Sequence, residues 1–229
     1  MTSKQHRLTG TQSALYLIIS ITLNALGNGI TVSLNLGSAL WTASAVNLSH
    51  LVGGDLKLLL MIIGFIAIIV NMILLGGIQW RRAINNLVFM IPFSVLVGYS
   101  ATMFNHWHLE NLPLVLRIVL DLFGIVMIAT AVSIYQRVNI LLHPLDDFMQ
   151  IIRFKFFKGN APIAMWVSFI PPVTMSLIAI LLSHRIYAIN IGTIFSLLFQ
   201  GSLVGWADRH VFKTLKHQGL DKLMTAKHS

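Results

Sequence analysis

The sequence predicts an all-α, polytopic membrane protein: six transmembrane helices as two inverted three-helix repeats, each with a further non-spanning or re-entrant helical segment. Three observations predict it. The 229 residues are 56% hydrophobic and only 10% charged, with mean hydropathy +0.79, whereas a soluble domain carries about 25% charged residues. Six apolar stretches, roughly 13–34, 57–79, 84–104, 112–135, 162–183 and 187–207, have the ~20 residues a helix needs to cross the hydrocarbon core. One span also recurs in the second half of the chain.

The elements follow in order. A basic start, MTSKQHR, leads into the run 13–34, which is too long for a signal-peptide core and reads as an uncleaved first span. Next comes NLGSALWTASAVNLSHLVGG, residues 35–54, without a single charge. It is a crossing, a loop or a segment that enters the membrane and turns back. Spans two to six follow, and all must be helices because an open strand in lipid leaves its backbone unpaired. Between the fourth and fifth spans, residues 143–157 contain Asp146, Asp147, Arg153 and Lys155, too many charges for a crossing at ~2.5–3.5 kcal/mol per central charge. The chain is a single membrane domain of residues 1–229: one repeat over roughly 13–104, the other over 112–208, then a basic tail, 209–229.

The repeat rests on the third and sixth spans. The third opens near Ala83-Ile84-Asn85 and closes with Leu96-Val97-Gly98-Tyr99; the sixth opens with Ala188-Ile189-Asn190 and closes with Leu203-Val204-Gly205-Trp206. The same displacement carries segment 35–54 onto the charged segment 140–160, so each half reads as span, intermediate segment, span, span. Three crossings per half turn the second half upside down. Charge agrees: with both termini inside, 13 of the 16 Lys and Arg residues face the cytoplasm and only Lys57, Arg117 and Arg185 do not. A seventh crossing at 35–54 lowers the bias to 11 against 5. The expected address is the bacterial cytoplasmic membrane, multi-pass, with N- and C-termini cytoplasmic. Trp41, Trp80, Trp107, Trp166 and Trp206 are expected near span ends, where indole N–H groups reach headgroups.

Three short motifs resemble the YczE/YyaS/YitT group of bacterial integral membrane proteins. They are Leu36-Gly37-Ser38-Ala39-Leu40-Trp41-Thr42, His143-Pro144-Leu145-Asp146-Asp147-Phe148-Met149 and Asn190-Ile191-Gly192-Thr193. The group's corresponding patterns are L-G-x-x-P-W-D, G-P-R-D-x-L-M and G-[IV]-G-T, and the resemblance covers nearly the whole chain. Leu40, Thr42 and Leu145 stand where the group has proline, aspartate and arginine. A facing Asp–Arg pair across the pseudo-twofold axis is therefore not available here. The resemblance implies architecture more than activity.

The chemistry-bearing residues are few. Asp146 and Asp147 follow Pro144, so they fall in a helix's first turn, where carboxylates suit the dipole; with His143 beside them they are also candidates for a proton or cation site. Arg117 and Asp121 lie four apart in the fourth span. Arg117 can snorkel outward and hold Asp121 as an ion-pair partner, yet an ionisable residue within a span is a functional candidate by default. Asn35, Gly37, Trp41, Thr42 and Asn47 of the uncharged segment, and Gly192 and Thr193 at the start of the last span, complete the candidate pathway. Asn24, Asn28, Asn71, Thr174, Ser176 and Gln200 read as interhelical hydrogen-bonding groups, and Gly201-x-x-x-Gly205 and Ala39-x-x-x-Ala43 as close-packing pairs. Pro92 and Pro171-Pro172 are expected to interrupt their spans. Asp208-Arg209-His210 reads as an interfacial charge cluster, with the tail on the inner leaflet or solvated.

Zero cysteines exclude disulfides, thiolate metal sites and cysteine nucleophiles. No H-E-x-x-H, G-x-S-x-G or Walker pattern occurs, so no enzyme, cofactor or metal site is expected. The net charge of +9 reads as basic loops on an anionic leaflet rather than nucleic-acid binding. The expected partners are the lipid bilayer and a small solute, with a second copy or a partner membrane subunit as candidates. The leading function is a small secondary transporter or permease. A substrate-capture subunit of a larger transporter and a non-transporting membrane scaffold or assembly factor are the alternatives.

Overall fold

The structure is a computed structural model that describes residues 8–37, 39–54, 56–187 and 189–219. Lys4, Arg7, Ala188, Lys222, Lys227 and the side chain of Lys57 lie outside them. Among the described residues the chain forms α-helices and one short 3-10 helix (Leu109–Asn111), with no strand.

The first span is α1 (Gly10–Ser33). It starts earlier than hydropathy alone indicates because Thr9 and Gln12 form a reciprocal capping box. α2 (Leu40–Val52) occupies the uncharged segment and ends at Gly53 in the left-handed region. α3 (Leu56–Leu75) stops before Gly76-Gly77, and α4 (Trp80–His106) follows. α5 (Leu114–Val138) enters on Pro113, and α6 (Pro144–Lys155) begins with proline in its first turn, as its sequence predicts. The fifth span is broken into α7 (Ala161–Ser168) and α8 (Ile170–Ser183), because Pro171 and Pro172 supply no N–H. α9 (Ile191–His210) is capped by the Asn190 side chain. Pro92, in contrast, does not interrupt α4: a single proline removes one hydrogen bond, and the long helix on either side retains the rest.

Among the described residues five stretches are long and apolar enough to cross a membrane: α1, α3, α4, α5 and the α7–α8 pair. Their outward surface is apolar; Ile73, Ile91, Val115 and Leu181 are each at least 70% exposed, the pattern of a surface wetted by lipid.

α5 is the central helix, buried continuously from Ala131 to Val138. It runs antiparallel to α1: Leu34 at the end of α1 meets Arg117 near the start of α5, whereas Asn24 meets Tyr135. The crossing is close because both helices present glycine there. A Cβ on Gly27 would lie 2.8 Å from the Gly124 carbonyl oxygen, and one on Gly124 3.0 Å from that of Gly27. α4 packs on the other side of α1, and α9 on α5. Gly201 seats α9 on α7, 2.7 Å from Met165 by the same measure, so the Gly201-x-x-x-Gly205 expectation holds at Gly201.

α2 and α6 are too short, at 13 and 12 residues, to cross ~30 Å. α2 lies against α8 and α3, α6 against α3 and α7. Ala45 of α2 and Leu145 of α6 share one apolar cluster with Ile63 and Ala67, which lie near the middle of α3. From there α6 follows α3 to its end: Asn71 Nδ2 donates to the Pro144 carbonyl (2.9 Å), and Lys155 Nζ to that of Leu74. Trp41 departs from the expectation of a span-end position. It sits in the first turn of α2, half-buried against both this cluster and the main core.

Candidate functional site

The segment 34–37 that leaves α1 folds onto the start of α9. The Gly192 N–H donates to the Leu36 carbonyl (2.9 Å). Gly37, at φ +113°, approaches so closely that a Cβ there would lie 2.5 Å from Thr193 Oγ1; only glycine suits both demands. The Leu36-Gly37 and Gly192-Thr193 motifs, distant in sequence, therefore meet in space.

Asp121 lies beneath this junction. It is 1% exposed, and a Cβ on Gly192 would overlap its Oδ2. Both carboxyl oxygens are enclosed and without a hydrogen-bond partner among the described residues. They face a small cavity walled by Thr31, Gly37, Ala39, Ile125, Ile128, Gly192, Ser196 and Gln200. The expected Arg117–Asp121 ion pair is not formed. Arg117 turns to the end of α1, where Nε donates to the Leu34 carbonyl at 3.1 Å and a terminal nitrogen donates to the same oxygen. The reason is that the last carbonyls of a helix are unpaired acceptors at its negative end.

A second polar group descends the α1–α5 interface from there. Asn28 donates to Asn24 Oδ1 (2.7 Å), Asn24 to the Tyr135 hydroxyl (3.4 Å), and that hydroxyl to Asp146 Oδ2 (2.6 Å). Asp147 is engaged separately. Arg82 Nε donates to its two oxygens at 3.0 and 2.8 Å, a second guanidinium nitrogen pairs with Oδ1, and Asn86 Nδ2 donates to Oδ2 at 2.9 Å. His143 caps α6, its Nδ1 accepting from the Leu145 N–H (3.4 Å), with its ring edge-on to Phe93.

The remaining candidates have local structural work. Asn35 is exposed in the left-handed region and ends α1. Thr42 is half-buried on α2. Asn47 clamps the loop before α9, its amide donating to the Tyr187 carbonyl and its oxygen accepting from the Tyr187 N–H (2.9 Å). So Gly37, Asp121, Gly192 and Thr193 converge on one site, His143, Asp146 and Asp147 share the start of α6 but take separate partners, and Asn35, Trp41, Thr42 and Asn47 line neither.

Asp208 is not an interfacial cluster with Arg209 and His210. It accepts from Ser133 Oγ (2.6 Å), pairs with Arg153, and lies 3.6 Å from Arg137 Nε. Arg137, 1% exposed, also donates to the carbonyls of Val211, Phe212 and Leu215. The described part of the tail is anchored to the end of α5 through buried Leu215 and these carbonyl contacts, while Lys213, Thr214 and Lys216 remain exposed. His217 approaches Asp208 at 3.4 Å; burial holds its imidazole below the ordinary range, against the opposing pull of that carboxylate.

Sequence reasoning missed Thr31, Ser196, Arg82, Asn86, Tyr135 and Arg137. One signal was available: Gly192, Ser196 and Gln200 recur every fourth residue, a single stripe on α9.

Apolar helices of spanning length around a buried polar interior define an integral membrane protein. The chain belongs to DUF6198, a family of unknown function, whose family model matches residues 11–209. No curated protein and no solved structure matches it.

Proposed function

We propose that the protein is a small secondary transporter or permease of the bacterial cytoplasmic membrane, related to the YczE/YyaS/YitT group. It has six spans in two inverted halves and a site beside Asp121. The observation that carries the reading is a buried carboxyl without a hydrogen-bond partner among the described residues, facing a cavity between helices of the two halves. A charge-bearing group left unpaired inside a membrane is costly, and such groups mark ion and substrate pathways.

Several features support the architecture. α9 is the sixth span: its 20 residues give ~30 Å of helix. α1, α2 and α3 begin at Gly10, Leu40 and Leu56, and α5, α6 and α7 at Leu114, Pro144 and Ala161, a nearly constant displacement. Packing pairs correspond as well. α1 with α4 matches α5 with α9, and α2 with α8 matches α6 with α3. α2 and α6 are then re-entrant half-helices, both reaching the depth of Ile63 and Ala67, as in transporters built from inverted repeats. A single unpaired carboxyl suits a small neutral or singly charged solute.

The lack of native cysteine makes the test direct. Single cysteines replacing Thr31, Ala39 and Ser196 are labelled with a membrane-impermeant thiol reagent in intact cells and in inverted vesicles. Labelling from either side, with a balance that candidate solutes shift, is expected. Reactivity from one side only, whatever solute is added, would refute alternating access. A second membrane protein that co-purifies, and is needed before labelling changes, would instead favour the capture-subunit reading.

A further inference from the structure

Resting on the permease reading for its role in a cycle, we propose that Asp121 is a proton-binding site, neutral in the enclosed arrangement seen here, and that H⁺ is the ion the cycle carries. Among the described residues nothing pairs with an ionised carboxylate at this place. The charged or titratable groups that could face it are accounted for from every element around the cavity. α1 offers Thr31, the segment before α2 offers Gly37 and Ala39, α9 offers Gly192, Ser196 and Gln200, and α5 itself offers Ile125 and Ile128. None titrates. Arg117, one turn away on the same helix, is bound to the Leu34 carbonyl.

The start of α9 does not substitute for a counter-ion. Its first N–H groups are taken, that of Ile191 by Asn190 Oδ1 (2.8 Å) and that of Gly192 by the Leu36 carbonyl. The field of the helix terminus is a weak effect beside the desolvation of a whole carboxylate.

A metal cation fares worse than a proton. It needs a cage of ~6–8 oxygens, whereas beside Asp121 the described lining offers only the side-chain oxygens of Thr31, Ser196 and Gln200. The carbonyls of Leu34 and Leu36 are occupied by Arg117 and Gly192. Protonation converts Asp121 to a neutral acid of nearly the same size. When segment 34–37 lifts from α9, the Leu36–Gly192 hydrogen bond breaks and water reaches the carboxyl. The O–H bond can then ionise, its proton passing to that water and its electron pair staying on the carboxylate.

The test uses the full-length protein in native membranes and dicyclohexylcarbodiimide, which attacks protonated carboxyls in apolar surroundings, with adducts mapped by mass spectrometry. Asp121 is expected to be modified. Its rate should fall about tenfold per pH unit once the acid form becomes the minority and should not respond to sodium at constant pH. Infrared spectra of the unmodified protein should show an unionised carboxyl band that titrates over the same range and is missing from Asp121→Asn. Protection by sodium at constant pH, or a rate indifferent to pH, would overturn the proposal. The permease reading fails separately: pH-governed modification in a protein whose cavity cysteines never change sides upholds the proton site and removes transport. Side-switching cysteines with a sodium-protected Asp121 do the reverse.

Discussion

The Arg82–Asp147 pair can be broken from either side, and the two sides are not equivalent. The Asp147 side chain is fully enclosed, while that of Arg82 is 18% exposed. In Arg82→Met the carboxylate keeps only Asn86 as a donor, and an uncompensated buried charge costs ~3–5 kcal/mol. In Asp147→Asn a neutral amide of the same shape remains against Asn86, and the freed guanidinium has a path to water; the cost is ~1–3 kcal/mol. The expected order is therefore Arg82→Met well below Asp147→Asn in thermal stability. The double variant Arg82→Met/Asp147→Leu should recover part of the loss, since a buried pair replaced by apolar groups is often neutral. Tryptophan fluorescence of the purified protein in detergent, heated alongside the wild type, measures all three. An Asp147→Asn variant no more stable than Arg82→Met, or a double variant below both, would refute the assignment of the burial penalty to Asp147.

Other perturbations follow from the same geometry. Tyr135→Phe removes the hydroxyl shared by Asn24 and Asp146 and should cost ~1.5–3 kcal/mol, the range for a hydrogen bond to a charged group; unchanged melting would show the string to be incidental. Gly192→Ala forces Asp121 aside and should cost ~1–3 kcal/mol, as overpacking does. Gly205→Ala, whose new methyl would meet its nearest neighbour at 3.6 Å, should be nearly silent, and equal melting of the two would contradict the close approach. Asp208→Ala withdraws the carboxylate shared by Arg137 and Arg153. Trypsin should then cut faster at Lys213 and Lys216 than in the wild type, and an unaltered cleavage rate would mean that the carbonyl contacts of Arg137 hold the tail alone.

Much of the scaffold was legible because the bilayer constrains it. Span lengths follow from hydrocarbon thickness, and helix starts follow from local chemistry at Pro113, Pro144 and Asn160, the last accepting from the Ile163 N–H (3.1 Å). Even the split of the fifth span was readable at Pro171-Pro172, whereas Pro92 misled because one missing N–H is not enough to end a long helix. The site was legible in part. Its glycines and Asp121 stood out, one by motif and the other by its charge within a span.

What the sequence by itself determined was which segments are long and apolar enough to cross a membrane, and which charged residues are costly within them. Only the tertiary structure decided who partners whom. Spacing of four placed Arg117 beside Asp121, yet the arginine went to a carbonyl 83 residues away in sequence; Asp147 took Arg82 from 65 residues away, and Arg153 took Asp208 from 55. Periodicity encodes the face of a helix, not the neighbour that face will meet. In a low-dielectric interior each buried charge takes the best unpaired group that packing brings within reach, and Asp121 stands apart because packing brought it none among the described residues.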